Sequence, residues 1–155
     1  MLKQYKIKLL KETNPKIAKQ ITHLLKQLVA PASIINASFL KKMLKAPSSF
    51  IFVAENLHGE IIGMATLIHA PQLQGFSRTT IEDVVVDSHY RQQGIGKALI
   101  KAAILQAKKL KAETIKLTSR PSRVSANALY KKLGFTLVNT NNYQYRIQYH
   151  PSQQN

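Results

Sequence analysis

The stretch from Thr79 to Thr118 constrains this chain more than any other. Thr79 to Val86 is rich in β-branched residues and reads as a strand. Arg91-Gln92-Gln93-Gly94-Ile95-Gly96 follows and opens a helix over Gly94 to Leu110, whose apolar face is Ile95, Leu99, Ala102, Ala103 and Leu110. Thr114 to Thr118 is a second, short strand. A strand–helix–strand crossover implies a parallel pair, with the helix packed on one face of a sheet.

The preceding half has a different character. Tyr5 to Leu10 alternates as a strand. Asn14-Pro15 starts a helix whose apolar residues Ile17, Ile21, Leu24, Leu25 and Leu28 repeat at helical spacing until Pro31. Ser38 to Leu44 reads as a shorter helix. Phe50 to Glu55 and Ile61 to His69 flank the turn residues Asn56 to Gly59, which predicts an antiparallel hairpin. After the loop at Pro121, Ser122 can cap a helix over Val124 to Leu133 that Gly134 closes. Phe135 to Val138 and Tyr143 to Ile147 read as a terminal strand pair. The expectation is an α/β (α+β) fold. Its central sheet is mixed but mostly antiparallel, with about six to seven strands flanked by about four helices. At 155 residues the chain suits one domain, read here as 1–150, with 151–155 a frayed tail.

There are no cysteines, which excludes a disulfide scaffold, a Cys-ligated zinc site and a cysteine nucleophile. The five histidines (23, 58, 69, 89 and 150) lack metal-ligand spacing, so no metal is expected. Met1 to Lys11 is studded with lysine and has no apolar core of a signal peptide, and no stretch is long enough to span a membrane. A soluble, cytoplasmic protein is expected. The net charge of +16 is unevenly spread: residues 51–87 carry Arg78 against Glu55, Glu60, Glu82, Asp83 and Asp87, while the flanking thirds are strongly basic. Such a balance suits a nucleic acid, a polyphosphate-bearing ligand or a solvated lysine-rich surface.

The glycine turn carries the chemistry. Glycines there let backbone amides approach an anion, and the first turn of the helix presents unpaired N–H groups at the positive end of its dipole. A pyrophosphate is the natural guest. The turn is neither a Walker loop nor a dinucleotide GxGxxG, because Leu99 stands at the third glycine position. By spacing alone, an ordinary strand-to-helix turn accounts for it as well.

Three segments together are more specific. Val84-Val85-Val86-Asp87, then Tyr90-Arg91-x-x-Gly94-Ile95-Gly96-Lys97-Ala98-Leu99, then Ala126-x-x-Leu129-Tyr130-x-x-x-Gly134-Phe135 resemble the GNAT superfamily of acetyl-CoA-dependent N-acetyltransferases. The resemblance covers roughly residues 50–147 and is sharpest over 81–135. It implies that the amides of Gln92, Gln93, Gly94, Ile95, Gly96 and Lys97 hold the pyrophosphate of acetyl-CoA, with Arg91 at the entrance. It further implies that the strand carrying Val84, Val85 and Val86 splays from Thr114 to Thr118. Pantetheine would lie along the main chain of Val84 and Val86, where a backbone N–H polarises the thioester carbonyl. Tyr130 would protonate the departing thiolate; a phenol with a pKa near ~10 is protonated at neutral pH and ready to donate.

An attacking amine must lose a proton, so a carboxylate near the acceptor is the expected base. Glu82 is the first choice and Asp83 the second, on opposite faces of a regular strand. The segment Ile81 to Val86 also looks like the matching strand of glucosamine-phosphate N-acetyltransferases. Asn127 lies one turn from Tyr130, where a cofactor contact and plain helix surface are equally compatible. Arg123 stands where the family often has Asn and could bind a phosphate instead; Arg120 lies beside it. The resemblance therefore implies transfer of acetyl to a primary amine by direct attack in a ternary complex. The acceptor would be a small-molecule amine or amino sugar, or a protein amine, and the enzyme a homodimer, as is common in the family. The alternatives are a basic nucleic-acid-binding protein and a non-catalytic acyl-CoA-binding module on the same fold.

Overall fold

The computed structural model describes residues 4–73, 75 and 77–147. β1 (Tyr5–Leu9) leads to α1 (Pro15–Leu28) and α2 (Ala37–Lys45), and β2 (Ser49–Asn56) and β3 (Ile61–Pro71) form the hairpin. β4 (Ser77–Val86), a 3-10 turn (Ser88–Tyr90), α3 (Ile95–Lys109), β5 (Thr114–Leu117) and α4 (Val124–Lys132) follow. The five strands lie side by side in chain order, β1 to β4 antiparallel and β5 parallel to β4.

Local chemistry sets the helix starts. Asn14 Oδ1 accepts the Ile17 amide at 3.0 Å and Asn36 Oδ1 accepts the Phe39 amide at 2.7 Å. Each cap satisfies a donor that the helix leaves free. The apolar stripes then cover the two faces of the sheet. Ile21 and Leu24 of α1 and Leu40 of α2 pack on Ile51, Val53, Met64 and Val85. Leu99, Ile100 and Ala103 of α3 pack with Tyr130 of α4 on Phe52, Leu67 and Ile81. Each fully buried aliphatic side chain contributes roughly 1.5–3 kcal/mol. Gly63 lets α3 settle close to β3: a Cβ there would stand 3.1 Å from the Val85 carbonyl oxygen and 3.2 Å from Ile95 Cγ2.

β4 departs from regular alternation at the place that matters for function. Thr66 pairs with Glu82 but Met64 pairs with Val85, so the register shifts between them. Asp83 has φ +52, in the left-handed region. This bulge flips the phase of the strand. Ile81 belongs to the α3 side, yet Val85, four residues on, faces α1, and Val84 and Val86 pack on the α3 side.

Three expectations are corrected. The sheet has five strands, not six or seven: residues 135–147 form no strand, and Leu137, Tyr143 and Tyr145 are exposed. Alternation shows that a segment could sit in a sheet, but a strand exists only with a ladder partner, and these residues have none among the described residues. Ser122 does not cap α4; the N-cap position is Arg123, with no side-chain capping bond. Glu82 and Asp83 do not alternate as in a regular strand, because Asp83 sits in the bulge at φ +52, and both are exposed. The proposed frayed tail, 151–155, lies outside the described residues.

Candidate active site

The end of β4 is open on one side. β5 pairs with β4 only from Arg78/Thr114 to Ile81/Leu117. Beyond that point β4 continues to Val86 on β3 alone, and no strand covers its other edge among the described residues. Two arginines reach this edge instead. Arg123 Nη2 donates to the Val84 carbonyl at 3.0 Å, and Arg91 Nε donates to the Val86 carbonyl at 3.1 Å. In the loop after β5, Ser119 Oγ is buried with no hydrogen-bond partner among the described residues.

The glycine turn leads from this edge into α3. Gln92 has φ +62 and Gly94 φ +78, both left-handed. Gly94 is the N-cap of α3 and, lacking a side chain, leaves the first-turn amides without a side-chain acceptor; the first helical bond is Ala98 N–H to Gly94 O at 3.0 Å. Arg91 to Gly94 and Lys97 are exposed, Gly96 is half-buried, and buried Ile95 anchors the turn in the core. A helix start with uncapped amides, flanked by left-handed residues, is a concave array of N–H donors.

α4 carries Tyr130. Its ring is buried and meets Phe135 edge-on, centroids 6.0 Å apart. Burial pushes the phenol above its ordinary value, and the Arg123 charge offsets part of that rise. Glu82 lies where β4 separates from β5. Its carboxyl is held above the usual carboxylate range, first by partial burial and then by the neighbouring Asp83 charge. Asn127 turns inward to its own loop: its amide donates to the Arg120 carbonyl at 2.9 Å.

The contacts around Asp87 escaped the reading of the sequence. Asp87 follows β4 and accepts hydrogen bonds from the His89 amide, the His89 ring, Gln27 Nε2 and His23 Nε2, each at 3.0 Å. Burial pushes its carboxyl up, but these donors outweigh it and hold the pKa down at about 2. Gln27 Oε1 also accepts the Ser88 amide at 2.9 Å. α1 is thereby tied to the turn that precedes the glycine turn. The Asp-x-His turn and the i, i+4 spacing of His23 and Gln27 were visible, but nothing in the sequence joined them. Among the described residues no cluster of three or more His, Cys, Asp or Glu is arranged to hold a metal.

A profile described as the acetyltransferase (GNAT) family matches residues 20–135. The chain belongs to the GNAT family. Among curated relatives of this GNAT protein, the N-alpha-acetyltransferase of Sulfurisphaera tokodaii is 34 % identical over 112 residues, covering 64 % of each chain. The [ribosomal protein bS18]-alanine N-acetyltransferase of Escherichia coli K12 is 39 % identical over 56 residues, 36 % of this chain and 38 % of that protein. The match thus spans less than two thirds of either relative. Solved structures agree over greater lengths. A protein of Bacillus halodurans C-125 described as a transcriptional regulator is 29 % identical with a TM-score of 0.78, covering 92 % of this chain and 99 % of its own. A soil-metagenome aminoglycoside acetyltransferase has a TM-score of 0.82 at 23 % identity, covering 94 % and 97 %; that likeness concerns the fold.

GNAT acetyltransferases use acetyl-CoA as co-substrate, and the residues present here fit it. The uncapped amides of α3 suit its diphosphate, and the edge of β4 that no strand covers suits an extended chain of amides.

Proposed function

We propose that this chain transfers the acetyl group of acetyl-CoA to a primary amine by direct attack in a ternary complex. The observation that carries this reading is the juxtaposition of an uncapped helix start at Gly94 with the unpaired edge of β4 at Val84 to Val86. An ordinary strand-to-helix turn accounts for the first by itself; the uncovered edge beside it gives an extended ligand main-chain groups to lie along.

The residues then take distinct parts. The amides from Gln92 to Lys97 bind the diphosphate, with Arg91 and Lys97 adding charge. The main chain of Val84 and Val86 orients the thioester arm, and a backbone N–H of this strand polarises the carbonyl being attacked. Arg123 shares the Val84 carbonyl with that arm, and Asn127 acts through the loop it holds. Tyr130 protonates the departing sulfur. Glu82 takes the amine's proton, directly or through a water; its raised pKa makes it a stronger base than an ordinary carboxylate. Asp83 supports it by charge.

For the acceptor we favour a protein amine over an amino sugar. One relative is named for the alanine of ribosomal protein bS18 and another as an N-alpha-acetyltransferase. Thiol release from acetyl-CoA should be measured against peptides with free amino termini, amino sugars and small diamines, with Glu82→Gln and Tyr130→Phe alongside. Release with a peptide, lost in both variants, is the expected result. Cofactor binding with no release across the panel would instead indicate a non-catalytic acyl-CoA-binding module. No binding of acetyl-CoA, with salt-sensitive binding of nucleic acid, would overturn the assignment.

A further inference from the structure

A side chain other than glycine stays in the left-handed region only where its surroundings hold it there. Gln92, at φ +62, is such a residue, two positions before Gly94 at φ +78. The segment that feeds them is anchored step by step. The Asp87 amide donates to the Ile62 carbonyl at 2.9 Å and the Tyr90 amide to the Asp87 carbonyl at 2.9 Å. Buried Asn56 donates through Nδ2 to Tyr90 Oη at 3.3 Å, and Arg91 Nε donates to the Val86 carbonyl at 3.1 Å. These contacts join the turn to the strands or to itself.

Gln27 joins it to a helix. It lies in the last turn of α1 and is half-buried. Its amide uses both ends: Oε1 accepts the Ser88 amide at 2.9 Å, and Nε2 donates to Asp87 Oδ2 at 3.0 Å. The reverse orientation would set a donor against a donor and an acceptor against a carboxylate, so the amide fits one way round. One turn earlier on α1, His23 Nε2 donates to the same Asp87 oxygen at 3.0 Å. The anchor beneath is stiff, because Ile21 and Leu24 of α1 are buried against Val53, Met64 and Val85. Val85 belongs to that layer and Ile95 to the layer of α3, so the chain between them passes the end of the sheet from one face to the other. Gln27 grips this passage on the α1 side, and Ile95 fixes it on the α3 side.

We propose that Gln27 is a positioning residue for acetyl-CoA: by holding Asp87 and Ser88, it presets the glycine turn so that the amides from Gln92 to Lys97 meet the diphosphate already aligned. The inference rests on the reading of that turn as the diphosphate site. A turn ordered before binding leaves less conformational freedom to lose on binding, so the grip is read out as affinity. It acts before the chemical step and leaves the reacting groups alone.

Gln27→Leu removes both hydrogen bonds and keeps most of the side chain's bulk. Calorimetry should show acetyl-CoA bound about tenfold more weakly, with KM rising in step and kcat at saturation within about twofold of wild type. Amide hydrogen exchange of the free protein should be about fivefold faster from Ser88 to Gly96 and unchanged from Lys101 to Lys109. If Gln27→Leu does not fold, Gln27→Asn, one methylene too short to reach, serves in its place. A folded variant that binds acetyl-CoA as wild type does would overturn the proposal, even with a lowered melting temperature, since Gln27 would then be merely structural. So would unmoved exchange across the turn, or a fall in kcat as large as the rise in KM. These outcomes presuppose wild type that binds acetyl-CoA. Wild type that does not bind it overturns the functional reading itself and this role with it.

Discussion

Arg123 on α4 and Val84 on β4 are joined by a hydrogen bond of 3.0 Å across the part of the sheet that β5 leaves uncovered. One side chain therefore marks both the cleft and the helix that carries Tyr130.

Tyr130→Phe removes a hydroxyl and leaves the ring packed against Phe135. Stability should change by less than about 1 kcal/mol. Turnover should fall by roughly 10²-fold, the lower range for general-acid catalysis, with KM for acetyl-CoA nearly constant. Steady-state thiol release checks this, and an equal loss in cofactor affinity would contradict the acid role.

Glu82 and Asp83 should be separable by pH. Replacing Asp83 with Asn removes a like charge beside Glu82, so the Glu82 pKa falls toward its ordinary value. The acid limb of kcat/KM should then move to lower pH, while Glu82→Gln should abolish that limb together with most of the rate. An unmoved limb in Asp83→Asn would remove Glu82 as the titrating base.

Asp87 makes a prediction about stability. Its folded pKa of about 2 lies below the ordinary value of 3.8, so its contribution is complete above about pH 4 and is lost as the pH falls through about 2. After screening at the exposed His23 and His89, we expect of order 1 kcal/mol. Thermal melts of wild type and Asp87→Asn should differ by a constant amount between about pH 5 and 7 and converge toward pH 2. A gap that widens in acid would be the wrong sign.

Gly94→Ala places a Cβ at φ +78, and the strain costs roughly 1–2 kcal/mol. Relief would require the turn to move, which misaligns the amides of α3. Calorimetry should show weaker binding of acetyl-CoA with kcat at saturation far less affected. Gly134→Ala, strained to a similar degree at φ +92 but at the far end of α4, should destabilise without changing cofactor affinity.

The helix starts, the hairpin turn, the glycine turn and the crossover could all be read from the chain, because each is decided by residues within a few positions of one another. Asn14 caps an amide three residues away, and Gly94 adopts its left-handed φ through its own lack of a Cβ. The pattern at Tyr143 to Ile147 was legible too, but pairing is not a local property, and the described residues supply no partner. Pairing likewise decided where β5 leaves β4, and the bulge at Asp83 decided which side of the sheet Val84 and Val86 face. The contacts that make the cleft join residues far apart in the chain: Arg123 and Val84 are 39 positions apart, and Asp87 and His23 are 64. Sequence alone determined the helices, the hairpin and the crossover, and which residue types they carry. Only the tertiary structure decided which of those groups meet, because no short-range preference selects a partner many turns and strands away.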